Sequence, residues 1–134
     1  YLTEFEKDGL DYTGEYGYPE HRWLFGTTWS KGAFDANLNI SFVGEFEDTP
    51  DIDFDGVLDF EENTSRMVDS QVLVDIQGGY NVTDTIRLVL GVNNVLDEEP
   101  PFAIGDGDSD LYGYVGSIHN PRGRFVYTKA TFRF

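Results

Sequence analysis

From Phe34 to Phe46 the chain alternates strictly. Phe34, Ala36, Leu38, Ile40, Phe42, Gly44 and Phe46 fall on one side, and Asp35, Asn37, Asn39, Ser41, Val43 and Glu45 on the other. Successive strand side chains point to opposite faces, so this spacing predicts a β-strand with one apolar and one polar face. The pattern recurs over His21–Lys31, Met67–Asn81, Ile86–Val95 and Arg122–Phe134, and Tyr1–Glu6 reads as the end of one more strand. No segment carries a helical stripe. Several of these segments run roughly 10–14 residues, against about 5–6 in ordinary globular sheets. A tilted strand that crosses a bilayer needs about 9–11.

The connections alternate as well. Lys31-Gly32 and Asn81–Asp84 are tight, while Asp8–Glu20, Asp48–Arg66 and Asp97–Pro121 are long. Short turns at one end and long loops at the other are the habit of outer-membrane barrels, with the long loops outside the cell. Aromatic residues lie near both strand ends on the apolar faces: Trp23, Phe42 and Phe46 toward the long loops, and Trp29, Phe34, Tyr80, Phe132 and Phe134 toward the tight turns. Such girdles are expected at both membrane interfaces. The fold class predicted is therefore all-β, an antiparallel transmembrane β-barrel fragment. A soluble antiparallel sandwich explains the alternation equally well, but not strand length, loop alternation and girdles together. Five full strands and part of a sixth cannot close a barrel, the smallest common ones having about 8. An open sheet would leave edge N–H and C=O groups in hydrocarbon. The chain also begins at Tyr1 within a strand. We therefore expect residues 1–134 to be the last five to six strands of a larger barrel.

Composition narrows the functional classes. The net charge is −16, from 25 acidic and 9 basic residues. No basic stripe exists to displace counterions from phosphates, so a nucleic-acid partner is not expected. Aromatic content of 16% argues against disorder. The long connections hold 17 of the 25 acids and only one Lys or Arg, Arg66, so the charge belongs to one rim. The absence of cysteine removes disulfides and thiolate chemistry. His21 and His119 are the only histidines, with no Ser or carboxylate at a motif spacing, and His119-Asn120-Pro121 reads as a loop turn. No catalytic role is expected.

Residues Leu90-Gly91-Val92-Asn93-Asn94-Val95-Leu96-Asp97-Glu98-Glu99-Pro100-Pro101 carry the most specific signal. The segment resembles the end of a strand near the C-terminus of TonB-dependent receptors, with its Asn-Leu/Phe-Asp-Glu-x-Pro-Pro type of turn. Gly123-Arg124 and the terminal Phe134 resemble the start and end of that family's last strand. Gly17-Tyr18-Pro19-Glu20-His21-Arg22 and Val68-Asp69-Ser70 with Val74-Asp75-Ile76 are similar to upstream strands. The resemblance covers nearly the whole chain and is most specific over residues 90–134. It implies a barrel of about 22 strands around an N-terminal plug in the bacterial outer membrane, energised through the inner-membrane TonB complex, which a region missing here would contact. It also implies that Phe134 is read by the barrel-assembly machinery; a lipid-facing girdle residue is the plainer reading of the same position.

One local motif stands apart. Asp51-Ile52-Asp53-Phe54-Asp55-Gly56-Val57-Leu58-Asp59-Phe60-Glu61-Glu62 matches D-x-D-x-D-G-x5-E at every fixed position. Asp51, Asp53 and Asp55 would supply carboxylate oxygens to calcium, Val57 its carbonyl, Asp59 a direct or water-mediated contact, and Glu62 a bidentate carboxylate. Against this, Pro50 excludes an entering helix of the usual kind, Ile52 and Phe54 are unusual in such loops, and an acidic solvated loop accounts for the same residues. Three functions remain in view. The first is an outer-membrane receptor that transports a scarce nutrient, a metal chelate or a saccharide. The second is a passive porin-like barrel, and the third a calcium-binding extracellular β-domain. The acidic rim leads us to expect cationic or neutral ligands rather than anionic ones.

Overall fold

The computed structural model describes residues 19–48, 67–103 and 113–134. Within them the alternation becomes seven strands and no helix: β1 (Arg22–Lys31), β2 (Phe34–Val43), β3 (Phe46–Glu47), β4 (Met67–Val68), β5 (Gln71–Asn81), β6 (Ile86–Asn93) and β7 (Phe125–Phe132). The first strand expected, Tyr1–Glu6, lies outside the described residues. No helix among these residues is long and apolar enough to cross a membrane, which bears on helices only. The strands form a five-stranded sheet, in the order β1-β2-β5-β6-β7, and a two-stranded sheet, β3-β4. Among the described residues the large sheet is open, with β1 and β7 at its edges. The chain divides into two units, one of Trp23–Phe42, Val72–Glu99 and Arg122–Phe134, the other of the remaining segments.

The first unit holds the large sheet. β1 and β2 are joined by Gly32-Ala33, and only Gly32 has positive φ, +61°. That is the type II′ pattern, whose twist suits a two-residue hairpin. β5 and β6 are joined through Val82–Thr85. Val82 N–H donates to Ile86 O at 2.9 Å, and the Thr83 hydroxyl accepts from Ile86 N–H at 3.0 Å. The antiparallel register runs Ile76↔Val92, Gly78↔Leu90 and Tyr80↔Leu88 between β5 and β6. It continues as Ile86↔Phe132, Leu88↔Ala130 and Val92↔Val126 between β6 and β7. Directly opposite residues share a face, so the apolar residues of neighbouring strands come together as the alternation requires.

The second unit corrects two expectations. Phe34–Phe46 is not one strand, because pairing stops after Val43. Gly44 N–H turns to His21 O at 2.7 Å, and the chain resumes as β3 in the other sheet. Met67–Asn81 likewise breaks at Asp69-Ser70 into β4 and β5. Phe46 is consequently no girdle residue. It is fully buried with Val68, Ala103 and Val115, and Ile118 packs against them. Phe46 pairs with Val68 across the β3–β4 ladder, and the buried His119 ring stacks on Phe46 at 5.7 Å. The buried amide of Gln71 extends this unit as a ladder would. Its Nε2 donates to Asn120 O and its Oε1 accepts from Asn120 N–H, both at 3.1 Å. His119 thus closes a turn, its N–H donating to Val115 O at 2.8 Å, and its ring belongs to the small core.

Candidate functional site

The large sheet presents two unlike faces. Its apolar face carries Trp23, Phe25 and Trp29 of β1, Phe34 of β2, Ile76 and Tyr80 of β5, Leu88 and Leu90 of β6, and Val126 and Phe132 of β7. All of these are exposed, from 40% for Tyr80 to 59% for Val126. Rings pair across strands near both ends, Trp23 on Phe42 at 5.3 Å and Phe34 on Tyr80 at 4.4 Å. Standard spacings make the face about 24 Å wide and roughly 26 Å along the strands, on the order of 600 Å² in projection. Monomeric soluble proteins rarely leave a larger apolar patch exposed. At roughly 25 cal/mol per Å², keeping it in water forgoes about 15 kcal/mol, comparable to the whole stability of a domain. A shallow apolar trough crosses its middle, where Ala36 and Gly78 leave room between Trp29, Leu38, Ile76 and Leu90.

The opposite face is polar and bonded to itself. Its long side chains lie flat across glycines to reach the strand beyond. Arg87 of β6 passes over Gly79 of β5 to Asp35 of β2, with Nη2 2.7 Å from Oδ2. Its Nη1 donates to Asn81 Oδ1 at 3.0 Å. Tyr127 of β7 lies across Gly91 of β6, and its hydroxyl donates to Gln77 Oε1 of β5 at 2.9 Å. Asn39 Oδ1 lies against Gly26, and Asn37 links Asn39 to Thr28. Any Cβ at Gly79 or Gly91 would intrude on these side chains, so the glycines are seats for the bridging groups.

The segment Asn94–Glu98, within the motif that resembles the receptor family, forms a knot after β6. Asn94 is buried and holds positive φ, +49°. Its Nδ2 donates to Glu98 O and Arg122 O at 2.9 and 3.0 Å, and its Oδ1 accepts from Glu98 N–H at 2.9 Å. Asp75 Oδ1 accepts from Asn94 N–H at 2.8 Å. Asp97, also at positive φ, accepts from Arg124 N–H at 2.7 Å and pairs with the Arg124 guanidinium at 2.9 Å. The backbone N–H bond from Arg124 is the largest influence on the Asp97 carboxyl and, with the guanidinium beside it, holds it below its ordinary pKa, although desolvation opposes them. Asparagine suits the first position because its short amide tolerates left-handed backbone and can bond both ways.

The calcium motif Asp51, Asp53, Asp55, Val57, Asp59 and Glu62 lies outside the described residues. Among the described residues no three His, Asp or Glu side chains converge to hold a metal. Phe134 is fully exposed at the chain end, two residues beyond β7. Sequence reasoning missed the bridges across Gly79 and Gly91. The alternation assigned Tyr127 and Arg87 to the polar face, but only the strand register shows a glycine beside each. Comparison with family profiles, with characterised proteins and with solved structures gave no match to this chain.

Proposed function

We propose that this chain is the C-terminal part of the β-barrel of a TonB-dependent outer-membrane receptor, which imports a scarce nutrient such as a metal chelate or a saccharide. One observation carries the reading: a sheet of strands 8–11 residues long leaves ten large apolar side chains of one face exposed while polar side chains of the other bond to one another. Hydrocarbon is the solvent that suits the first face, and a water-filled lumen suits the second. The open edges at β1 and β7 then require further strands, since each unpaired backbone group in lipid costs several kcal/mol. The knot at Asn94–Asp97 supports the family assignment, because it gives a physical task to the residues that carry the resemblance. Phe134 would end the last strand as the signal for barrel assembly.

Trp23 and Trp29 make the membrane reading testable. They lie on one face, six residues or about 20 Å apart along the strand. In single-tryptophan variants of the complete polypeptide in vesicles, lipids brominated near the headgroup should quench both indoles. Quenching of neither would refute insertion. Uptake of a ferric chelate or an oligosaccharide that stops when the TonB protein is deleted would support active transport, whereas unchanged uptake would favour the porin-like reading. Folding that needs calcium and no detergent would favour the extracellular calcium-binding domain.

A further inference from the structure

Two opposite charges line one cavity without meeting. At the tight-turn end of the large sheet, an open cavity of about 700 Å³ lies between the β1–β2 turn, the β5–β6 turn and the end of β7. Arg133 and Asp84 both line it. Among the described residues the close acid–base pairs are Glu20 with His21, Asp35 with Arg87 and Asp97 with Arg124, so neither Arg133 nor Asp84 has an ionic partner there. Their backbones are fixed. Arg133 N–H donates to Thr85 O at 2.9 Å, and the turn that carries Asp84 is closed by the Thr83 hydroxyl, which accepts from Ile86 N–H at 3.0 Å. The third charge of the lining, Arg87, is already paired with Asp35. What is left is one guanidinium and one carboxylate, in a wall that also holds Thr131 and Asn81. Asn81 gives its Oδ1 to Arg87, which leaves its Nδ2 as a donor.

We propose that this cavity binds a small zwitterion, an amino acid or short peptide, with its carboxylate on Arg133 and its ammonium on Asp84. A guanidinium presents a planar fork of donors that matches a carboxylate, and an aspartate accepts from an ammonium. A lone anion would meet Asp84 uncompensated, and a lone cation would meet Arg133. A neutral sugar would leave both charges unpaired. The whole-chain charge of −16 does not decide between them, since exposed charges farther apart than about 8 Å are largely screened at physiological salt. The volume falls within the roughly 300–1,000 Å³ of small-molecule sites. Turns and polar-face residues build the cavity, so the inference stands whether or not the apolar face meets lipid.

The test is saturation-transfer NMR on the complete polypeptide in detergent micelles, with trialanine as probe. Its N-acetyl form lacks the ammonium, and its C-terminal amide lacks the carboxylate. Transfer to the methyl protons of trialanine is expected. Each capped peptide should bind about three- to fivefold more weakly, the worth of one partly exposed charge pair. Arg133→Gln should erase the difference between trialanine and its amide while keeping that between trialanine and the N-acetyl form, and Asp84→Asn should do the reverse. Both positions are exposed, so neither substitution removes a packed side chain. Lys129→Gln, a cation outside the lining, should change neither preference. Free alanine, run alongside, separates the two sources of this chemistry: equal binding assigns the site to single amino acids, and weaker binding assigns it to peptides. No transfer to either trialanine or alanine would overturn the site. Capped peptides that bind as well as the zwitterion, or preferences that survive both substitutions, would do the same.

Discussion

Gly91→Ala should destabilise the sheet only while Tyr127 is present. A methyl at position 91 would fall within the space of the Tyr127 ring, at Cζ and the hydroxyl. The ring must swing away, and its hydroxyl then loses Gln77, now 2.9 Å distant. That bond is worth about 0.5–1.5 kcal/mol, and the packing of the ring against the sheet is worth about as much again. Alanine in a strand returns roughly 0.5–1 kcal/mol through backbone entropy. The balance is a loss of about 0.5–2 kcal/mol. In a Tyr127→Ser background the same substitution has nothing to displace, so it should stabilise by roughly 0.5–1 kcal/mol. The sign should therefore reverse. Urea unfolding of the four proteins in detergent micelles, followed by the fluorescence of Trp23 and Trp29, measures the cycle. Equal loss in both backgrounds would show that the glycine serves the backbone and not the tyrosine.

Three further outcomes follow from the geometry. The pKa of Asp97 is lowered by folding, so its contribution is complete above the ordinary carboxylate range and is lost as pH falls through the lowered value. Asp97→Asn should flatten the acid limb of a stability-versus-pH curve, and an unchanged limb would argue against the Arg124 contacts. Asn94→Ala should cost about 2–4 kcal/mol by thermal or urea unfolding, since it removes the amide bonds and leaves a methyl at positive φ. Asn94→Gly should cost roughly 1 kcal/mol less. Asp35→Leu alone strands Arg87 and should be worse than the Asp35→Leu/Arg87→Met pair, by about 1 kcal/mol or more in the same assay, because removing both partners leaves no half-buried charge without its mate.

Alternation along the chain was enough to place β1, β2, β5, β6 and β7 and the two tight turns, because a period of two over eight or more residues has few other solutions. It was not enough to find where strands change sheets. Phe46 keeps the parity of Phe34, and nothing in parity says that Gly44 will turn its N–H to His21. The core of Phe46, Val68, Ala103 and Val115 was illegible for a related reason. Each residue comes from a different segment, so no local period links them. The Asn94 motif could be seen as a resemblance, but its task emerged only when Arg122 and Arg124 were found bonded to it. Tyr127 was legible as a polar-face position, but its place across Gly91 was not, since the two are 36 residues apart in the chain.

The knot has a consequence for how this chain can vary. It fastens both ends of the connection between β6 and β7, Asn94 and Asp97 on one side and Arg122 and Arg124 on the other. The register of β7 is thus held by contacts that do not involve the intervening residues. Lengthening a loop whose ends are already clasped adds little, roughly 0.6 kcal/mol per doubling. The stretch between Glu99 and Pro121 is thereby relieved of aligning β7, and its Ala103, Val115 and Ile118 serve the small core around Phe46 instead.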